Sequence, residues 1–305
     1  TACRMVLNED GSVSLSLGET EIGQGADTAF AQMAADAVGV PFTEVHVVST
    51  QDTDVAPFGT GAYASRQTYV AGFVIRQTAD LLREKILGHA HELTRMPVAS
   101  LDLIGGRIIR RTDGRVLMTL EALATEVLYS MTHSEHIAAE STYQVKTNAY
   151  SFGCSFAEVE VDVELCQAKV LRLLNVHDCG TLINPALAEA QVHGGQSMSI
   201  GLGLQEELLW DARNGKPLNN NLLDYKLCTT VDHPDLDALF IENAEPTSAF
   251  GTKALGEPPT CSPAPAIRNA ILQATGVPLY HAPMTPHQLF ARFNEEGLIG
   301  EASHV

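Results

Sequence analysis

The chain has 305 residues, 45% of them hydrophobic, and carries 37 acidic against 19 basic side chains for a net charge of −18. That balance repels phosphate backbones, and with Arg110-Arg111 as the densest basic pair there is no basic stripe, so no nucleic-acid partner is expected. No apolar run approaches the roughly 18–20 residues that cross a bilayer and no leader-like segment opens the chain, so no membrane partner is expected either.

The chain begins without Met, inside a strand-like run, which reads as part of something longer. Val13-Ser-Leu-Ser-Leu17 alternates apolar and polar residues, the period of a half-buried strand, and a loop over 18–25 follows. Phe30, Met33, Ala34, Ala37 and Val38 then recur at helical spacing until Gly39 stops the run ahead of Pro41. Val45 to Val48 resumes an extended pattern. Residues 76–95 read as an amphipathic helix, and 107–116 as a hairpin around Asp113-Gly114.

A second unit of the same kind starts near residue 156. Phe156 to Leu165 alternates, Lys169 to Val176 supplies a hairpin partner, and Asn184-Pro185 is a helix start. The helical composition that follows, on toward Leu209, contains Gly194, Gly195, Gly201 and Gly203. An interior glycine costs about 1 kcal/mol relative to alanine, so these imply either close packing or a broken helix. Ser262-Pro263 then caps a helix through Ile267, Ala270, Ile271 and Ala274. The expected fold is α+β: two related lobes of mixed β-sheet packed with helices, over residues 1–140 and 141–305, with the boundary between 130 and 155.

Six cysteines (Cys3, Cys154, Cys166, Cys179, Cys228 and Cys261) lie far apart, and none forms a Cys-x-x-Cys pair. Zinc, iron–sulfur and thioredoxin-like sites lack support, and buried reduced thiols in a cytoplasmic protein are the expectation.

Three loops could carry chemistry. Gly23-Gln24-Gly25 precedes a helix, where exposed amides and close backbone approach suit an anion, although such a turn is often only a turn. In the loop 58–66, successive amides from Ala62, Tyr63, Ala64, Ser65 and Arg66 could form a nest for an oxo or phosphate group, and a flexible surface loop reads equally well from the same residues. In Gly251-Thr-Lys-Ala-Leu-Gly-Glu-Pro-Pro-Thr260, Glu257 lies between Gly256 and two prolines, which fixes its backbone just ahead of a helix and suits a base, although this segment alone slightly favours a solvated loop glutamate.

In this order, these loops resemble the xanthine dehydrogenase/aldehyde oxidase family of molybdenum hydroxylases. The matches are Gly23-Gln24-Gly25, Ala64-Ser65-Arg66, Asp178-Cys-Gly180 with Asn184-Pro185, Gln191-Val-His-Gly-Gly195, and Lys253-Ala-Leu-Gly256-Glu257-Pro-Pro259. They span nearly the whole chain, which corresponds to the C-terminal half of the family's molybdopterin-binding subunit. The resemblance implies a molybdopterin cofactor with molybdenum, in some relatives as the cytosine dinucleotide. Its binding residues would be Gly23, Gln24, Gly25, Ala62, Tyr63, Ala64, Ser65, Arg66, Lys253 and Gly256. It implies that Glu257 sits beside the metal and takes the proton from a metal-bound hydroxyl whose oxygen goes to a purine-like heterocycle or an aldehyde, as a buried carboxylate of raised pKa would. It further implies an N-terminal half of the same subunit, and iron–sulfur and FAD centres elsewhere. The isolated chain would then be inactive, with the cofactor held only in part or not at all. One departure stands out: where many relatives have Gln-Gly, this chain has Met198-Ser199. A second reading is therefore a non-catalytic module of the same descent. A metal-dependent hydrolase built on His89/His91 or His133/His136 lacks an accompanying carboxylate pattern.

Overall fold

The computed structural model describes residues 1–132 and 134–299, so His133 lies outside the described residues. The chain forms two compact units. The first comprises Thr1–Tyr150 with Gly180–Asn184 and Asn243–Ala254; the second comprises Ser151–Cys179, Pro185–Glu242 and the chain from Leu255 on.

In the first unit, β1 (Ala2–Leu7) and β2 (Val13–Leu17) form an antiparallel hairpin with Met5 opposite Leu15. The Val-Ser-Leu-Ser-Leu alternation becomes a strand whose Val13, Leu15 and Leu17 are buried while the serines are half-buried. Next, α1 (Ala26–Val38) ends as expected at Gly39, whose positive φ of 88° lets its amide close on the Ala35 carbonyl. The chain returns through β3 (Val45–Val47), parallel to β2. The helix α2 (Gln67–Thr94) starts well before residue 76. Its first turns bury Tyr69, Val70, Ala71, Val74 and Ile75, and a segment buried around most of its circumference shows no amphipathic stripe. A small antiparallel sheet of β4 (Leu101–Ile104), β5 (Arg107–Arg110) and β6 (Val116–Thr119) follows. Then come α3 (Leu120–Leu128), with Thr119 Oγ1 accepting from the Ala122 amide, and β7 (Ala138–Thr142), which pairs with the free side of β1. The main sheet has the order β3-β2-β1-β7. Phe30, Met33, Leu82, Ile86 and Leu103, each at most 1% exposed, fill the core between this sheet and α1 and α2.

The second unit repeats the path. β8 (Phe152–Asp162) and β9 (Gln167–Asp178) form an antiparallel hairpin, α4 (Pro185–Leu204) follows, and β10 (Asp235–Phe240) runs parallel to β9. The order is β10-β9-β8. Hairpin, helix and parallel return strand thus occur twice, which gives the two related lobes of an α+β fold. The short α5 (Pro258–Cys261), then α6 (Pro263–Thr275) and α7 (Pro286–Glu295) complete the unit. Leu173, Ile200, Ile267, Ile271, Leu289 and Phe293 form its core.

The glycines of α4 do not break it. A Cβ on Gly195 would stand 2.5 Å from Pro259 Cβ, and one on Gly203 3.2 Å from Ala264 Cβ, so both permit close approach to the α5–α6 segment. Nothing lies within 4 Å of the position on Gly194.

Two expectations need correction. Ser262 does not cap α6 with its side chain; its hydroxyl instead lies 2.6 Å from that of Ser155. The cysteines are not uniformly buried: Cys3, Cys166 and Cys179 are, but Cys154 and Cys261 are exposed. Burial pushes the Cys3 thiol up to about 12.

Candidate active site

In the first unit, the loops before α1 and α2 are drawn together. Thr20 contributes its carbonyl to both Gln24 Nε2, at 3.0 Å, and Gln67 Nε2, at 2.7 Å, and the two glutamines also pair with each other. Beside them, Arg66 Nη1 reaches both Glu19 oxygens, at 2.7 and 2.9 Å, and the Gly61 carbonyl at 3.2 Å. The Glu19 side chain is fully buried and that of Arg66 is 14% exposed. A buried carboxylate of this kind is tolerated only because its charge is matched and its lone pairs are used.

This anchoring supports a strained turn. Ala64 and Ser65 both have positive φ, 50° and 53°, a region that costs an L-residue about 1 kcal/mol or more. Arg66 follows with φ −85°. Residues of opposite hand in succession turn their amides toward one side, the backbone form of an anion-binding nest, and strain of this kind persists where the surroundings enforce it. Ala64 and Tyr63 are exposed at this turn, while Ala62, Ser65 and Arg66 are half-buried.

The amides at the head of α1 have a partner within the chain. Glu21 accepts from the amides of Gly23 at 2.7 Å, Asp27 at 3.0 Å and Gly25 at 3.1 Å. Burial alone would raise its carboxyl, but the amides of Asp27, Gly25, Gly23 and Ala26 together outweigh that and hold it below the usual carboxylate range. An anion arriving at this terminus must displace Glu21. Gln24 is likewise engaged within its own loop, its Oε1 accepting from the Ile22 amide at 2.7 Å. The space above Gly23 is open.

Lys253 belongs to the first unit and is 5% exposed. It follows Thr252, which forms a bridge with Gly180, while the Thr181 amide donates to the Gly251 carbonyl at 2.8 Å. Gly256 and Glu257 belong to the second unit.

There Glu257 is the residue before α5, its side chain exposed and its carbonyl accepting from the Thr260 amide at 2.9 Å and hydroxyl at 2.7 Å. Glu257 is thus an exposed residue on this chain, not one buried within it. Its backbone is fixed by Pro258 and Pro259 and by neighbours on both sides. Gln191 Nε2 donates to the Gly256 carbonyl at 3.4 Å, Asn175 Nδ2 donates to the Pro259 carbonyl at 3.1 Å, and Gly195 packs against Pro259. The Gln191-to-Gly195 motif and the Glu257 loop therefore meet. Met198 is 58% exposed, whereas Ser199 is buried and its Oγ accepts from the Ala264 amide at 2.9 Å. Ser199 thus holds the head of α6.

The described histidines weighed for a metal have other surroundings. His89 Nε2 is 3.2 Å from Glu135, His91 Nδ1 is 2.7 Å from the Met96 carbonyl, and His136 is exposed. Among the described residues, no cluster of His, Cys, Asp and Glu could hold a metal ion.

Sequence reading missed Glu19, Glu21, Gln67 and Asn175. Glu21 left a usable sign, an acid just ahead of a helix start. Asn175 left another, a polar residue at an inward strand position.

Comparison with known proteins identifies the family and the fold. The family model described as "Molybdopterin cofactor-binding domain" matches residues 1–234. The chain is 48% identical over 297 residues to the "Xanthine dehydrogenase molybdenum-binding subunit" of Escherichia coli O157:H7, covering 97% of this chain and 40% of that protein. It superposes on quinoline 2-oxidoreductase from Pseudomonas putida 86 with a TM-score of 0.87 and 28% identity, covering 96% of this chain and 38% of that one. It superposes equally well, TM-score 0.87 at 26% identity, on reconstituted CO dehydrogenase from Oligotropha carboxidovorans, covering 97% and 37%. The chain thus spans about 40% of the length of its curated relatives. With the family model covering most of the sequence and the repeated hairpin–helix–strand path superposing on solved relatives, this chain belongs to the molybdopterin cofactor-binding domains of the xanthine dehydrogenase type.

Proposed function

We propose that the chain is the catalytic, cofactor-holding part of a molybdenum hydroxylase, with Glu257 as its base. The observation that carries this reading is an exposed glutamate on a backbone tied on both sides, at Gly256 by Gln191 and at Pro259 by Asn175. A base must be held in place to be effective while its oxygens stay accessible. When bound, the molybdenum supplies Lewis acidity that makes coordinated water acidic and an acceptor for the electrons removed from substrate. Glu257 takes the proton at a carboxylate oxygen.

The residues that would hold the cofactor are Gly23, Gln24, Gly25, Ala62, Tyr63, Ala64, Ser65, Arg66, Lys253 and Gly256. Two features fit an anionic, hydrogen-bonding group: the left-handed pair Ala64-Ser65 followed by Arg66, and the open approach to Gly23. Binding at the head of α1 would replace the Glu21 carboxylate as hydrogen-bond acceptor. Both plain molybdopterin and its cytosine dinucleotide carry the phosphate this chemistry asks for. The substrate would be a purine-like heterocycle or an aldehyde; the relatives' names include xanthine and quinoline as well as aldehyde oxidoreductases.

The chain works in the cytoplasm with the N-terminal half of its subunit and with iron–sulfur and FAD centres outside it. The scattered cysteines and the share of relatives covered support this. The Met198-Ser199 departure does not favour a non-catalytic module, because Ser199 has a structural task at α6.

The test is Glu257→Gln in the intact subunit with its redox partners. Turnover should fall by about 10²–10⁴-fold, the usual worth of a general base, with molybdenum and pterin content unchanged. Retained turnover would refute the role.

A further inference from the structure

The Glu257 turn rests on a buried polar network. Asn175, on β9, is fully buried, and its neighbour on the same face, His177, is 1% exposed. Asn175 Oδ1 accepts from Ser155 Oγ at 2.6 Å, and that hydroxyl lies 2.6 Å from Ser262 Oγ, at the far end of α5. Asn175 Nδ2 donates to the Pro259 carbonyl at 3.1 Å and lies 3.4 Å from His177 Nε2. One amide thus binds the middle of the turn directly and its end through a serine.

Burying an amide where the strand pattern calls for an apolar side chain costs stability unless every group is matched. The network is also imperfect. His177 Nδ1 is buried against Gly153 without a hydrogen-bond partner. Core stability therefore does not account for it. What it secures is the backbone two residues after Glu257.

We propose that Asn175 is a positioning residue for Glu257, holding the α5 turn through the Pro259 carbonyl and Ser155 so that the carboxylate keeps its place. This rests on the role given to Glu257 above. Asn175 touches neither cofactor nor substrate in this scheme and acts only through the turn.

The test uses the assembled enzyme with Asn175→Leu, Glu257→Gln and both together. Asn175→Leu should lower kcat per bound molybdenum by about 10- to 100-fold, the scale of an ångström-size misplacement, with KM nearly unchanged. Hydrogen exchange at the Thr260 amide, which closes the turn on the Glu257 carbonyl, should quicken in the same variant. In the Glu257→Gln background the Asn175 change should cost nothing further, because both act through one group. A loss that adds in full to that of Glu257→Gln, or one explained by lost molybdenum, would overturn the proposal. If Asn175→Leu does not assemble, Ser155→Ala removes only the hydroxyl that donates to Asn175 and should show a smaller loss with the same kcat-against-KM split. Unchanged kcat there would overturn the proposal. An inactive Glu257→Gln beside a fully active Asn175→Leu defeats this inference alone, whereas an active Glu257→Gln defeats the role of Glu257 itself.

Discussion

The two lobes follow one path and hold their working loops by different chemistry. In the first, the loops before α1 and α2 are held with charge: Glu19 on Arg66, and Glu21 on the amides that open α1. In the second, the turn before α6 is held by neutral groups: Asn175, Ser155, Ser262 and Gln191, with Gly195 pressed on Pro259. The return path differs as well. Residues 39–44 join α1 to β3, whereas residues 205–234 join α4 to β10 and expose Leu222, Leu223 and Val231. A repeated topology thus fixes where loops emerge, at the heads of helices, but not how they are secured. The charged solution pins a strained backbone at Ala64 and Ser65; the neutral one leaves a carboxylate as the only charge on its turn.

Three substitutions probe that contrast. The largest effect is expected from Glu19→Ala, which strands the mostly buried Arg66 and should cost about 3 kcal/mol in denaturant unfolding. A cost below about 1 kcal/mol, the worth of a surface pair, would mean that charge is not what holds these loops. Next comes Gly195→Ala, whose methyl meets Pro259 and should destabilise by about 1–3 kcal/mol while displacing the Glu257 turn. The neighbouring Gly194→Ala, with open space around it, should instead gain about 0.5–1 kcal/mol, and equal effects at both sites would break the packing argument.

The smallest effect is a pH dependence. The Glu21 carboxyl lies below its ordinary value when folded, so its bonds to the α1 amides stabilise the protein above the ordinary carboxylate range. That contribution is lost as pH falls from about 4.3 through the folded value. Thermal melts of Glu21→Gln should therefore show a shallower acid limb than the parent. An unchanged limb would mean that the first lobe's charges do not set its acid sensitivity.

How much of this was legible follows from what each signal depends on. The strand Val13–Leu17 and the stop of α1 at Gly39 were visible because period and backbone conformation are written locally. The strands Leu101–Ile104 and Ala138–Thr142 were not, being four and five residues long and defined by partners elsewhere. The start of α2 at Gln67 was hidden because near-complete burial erases periodicity. At the site, the Gly-Gln-Gly, Ala-Ser-Arg and Gly-Glu-Pro-Pro segments stood out by composition. Their supports did not: Glu19 lies 47 positions from Arg66, and Asn175 lies 84 from Pro259.

The sequence by itself determined the strand–helix–strand run of the first lobe, the hairpin and helix of the second, the family, and the loops proposed to carry the chemistry, since these rest on local period and short motifs. Only the tertiary structure decided what secures each loop. It also showed that Glu21 occupies the amides at the head of α1, that α4 runs unbroken through its glycines, and that the Glu257 turn stands on Asn175. Those outcomes depend on which distant groups can share a buried hydrogen bond or a van der Waals contact, and that is settled only when the chain has folded.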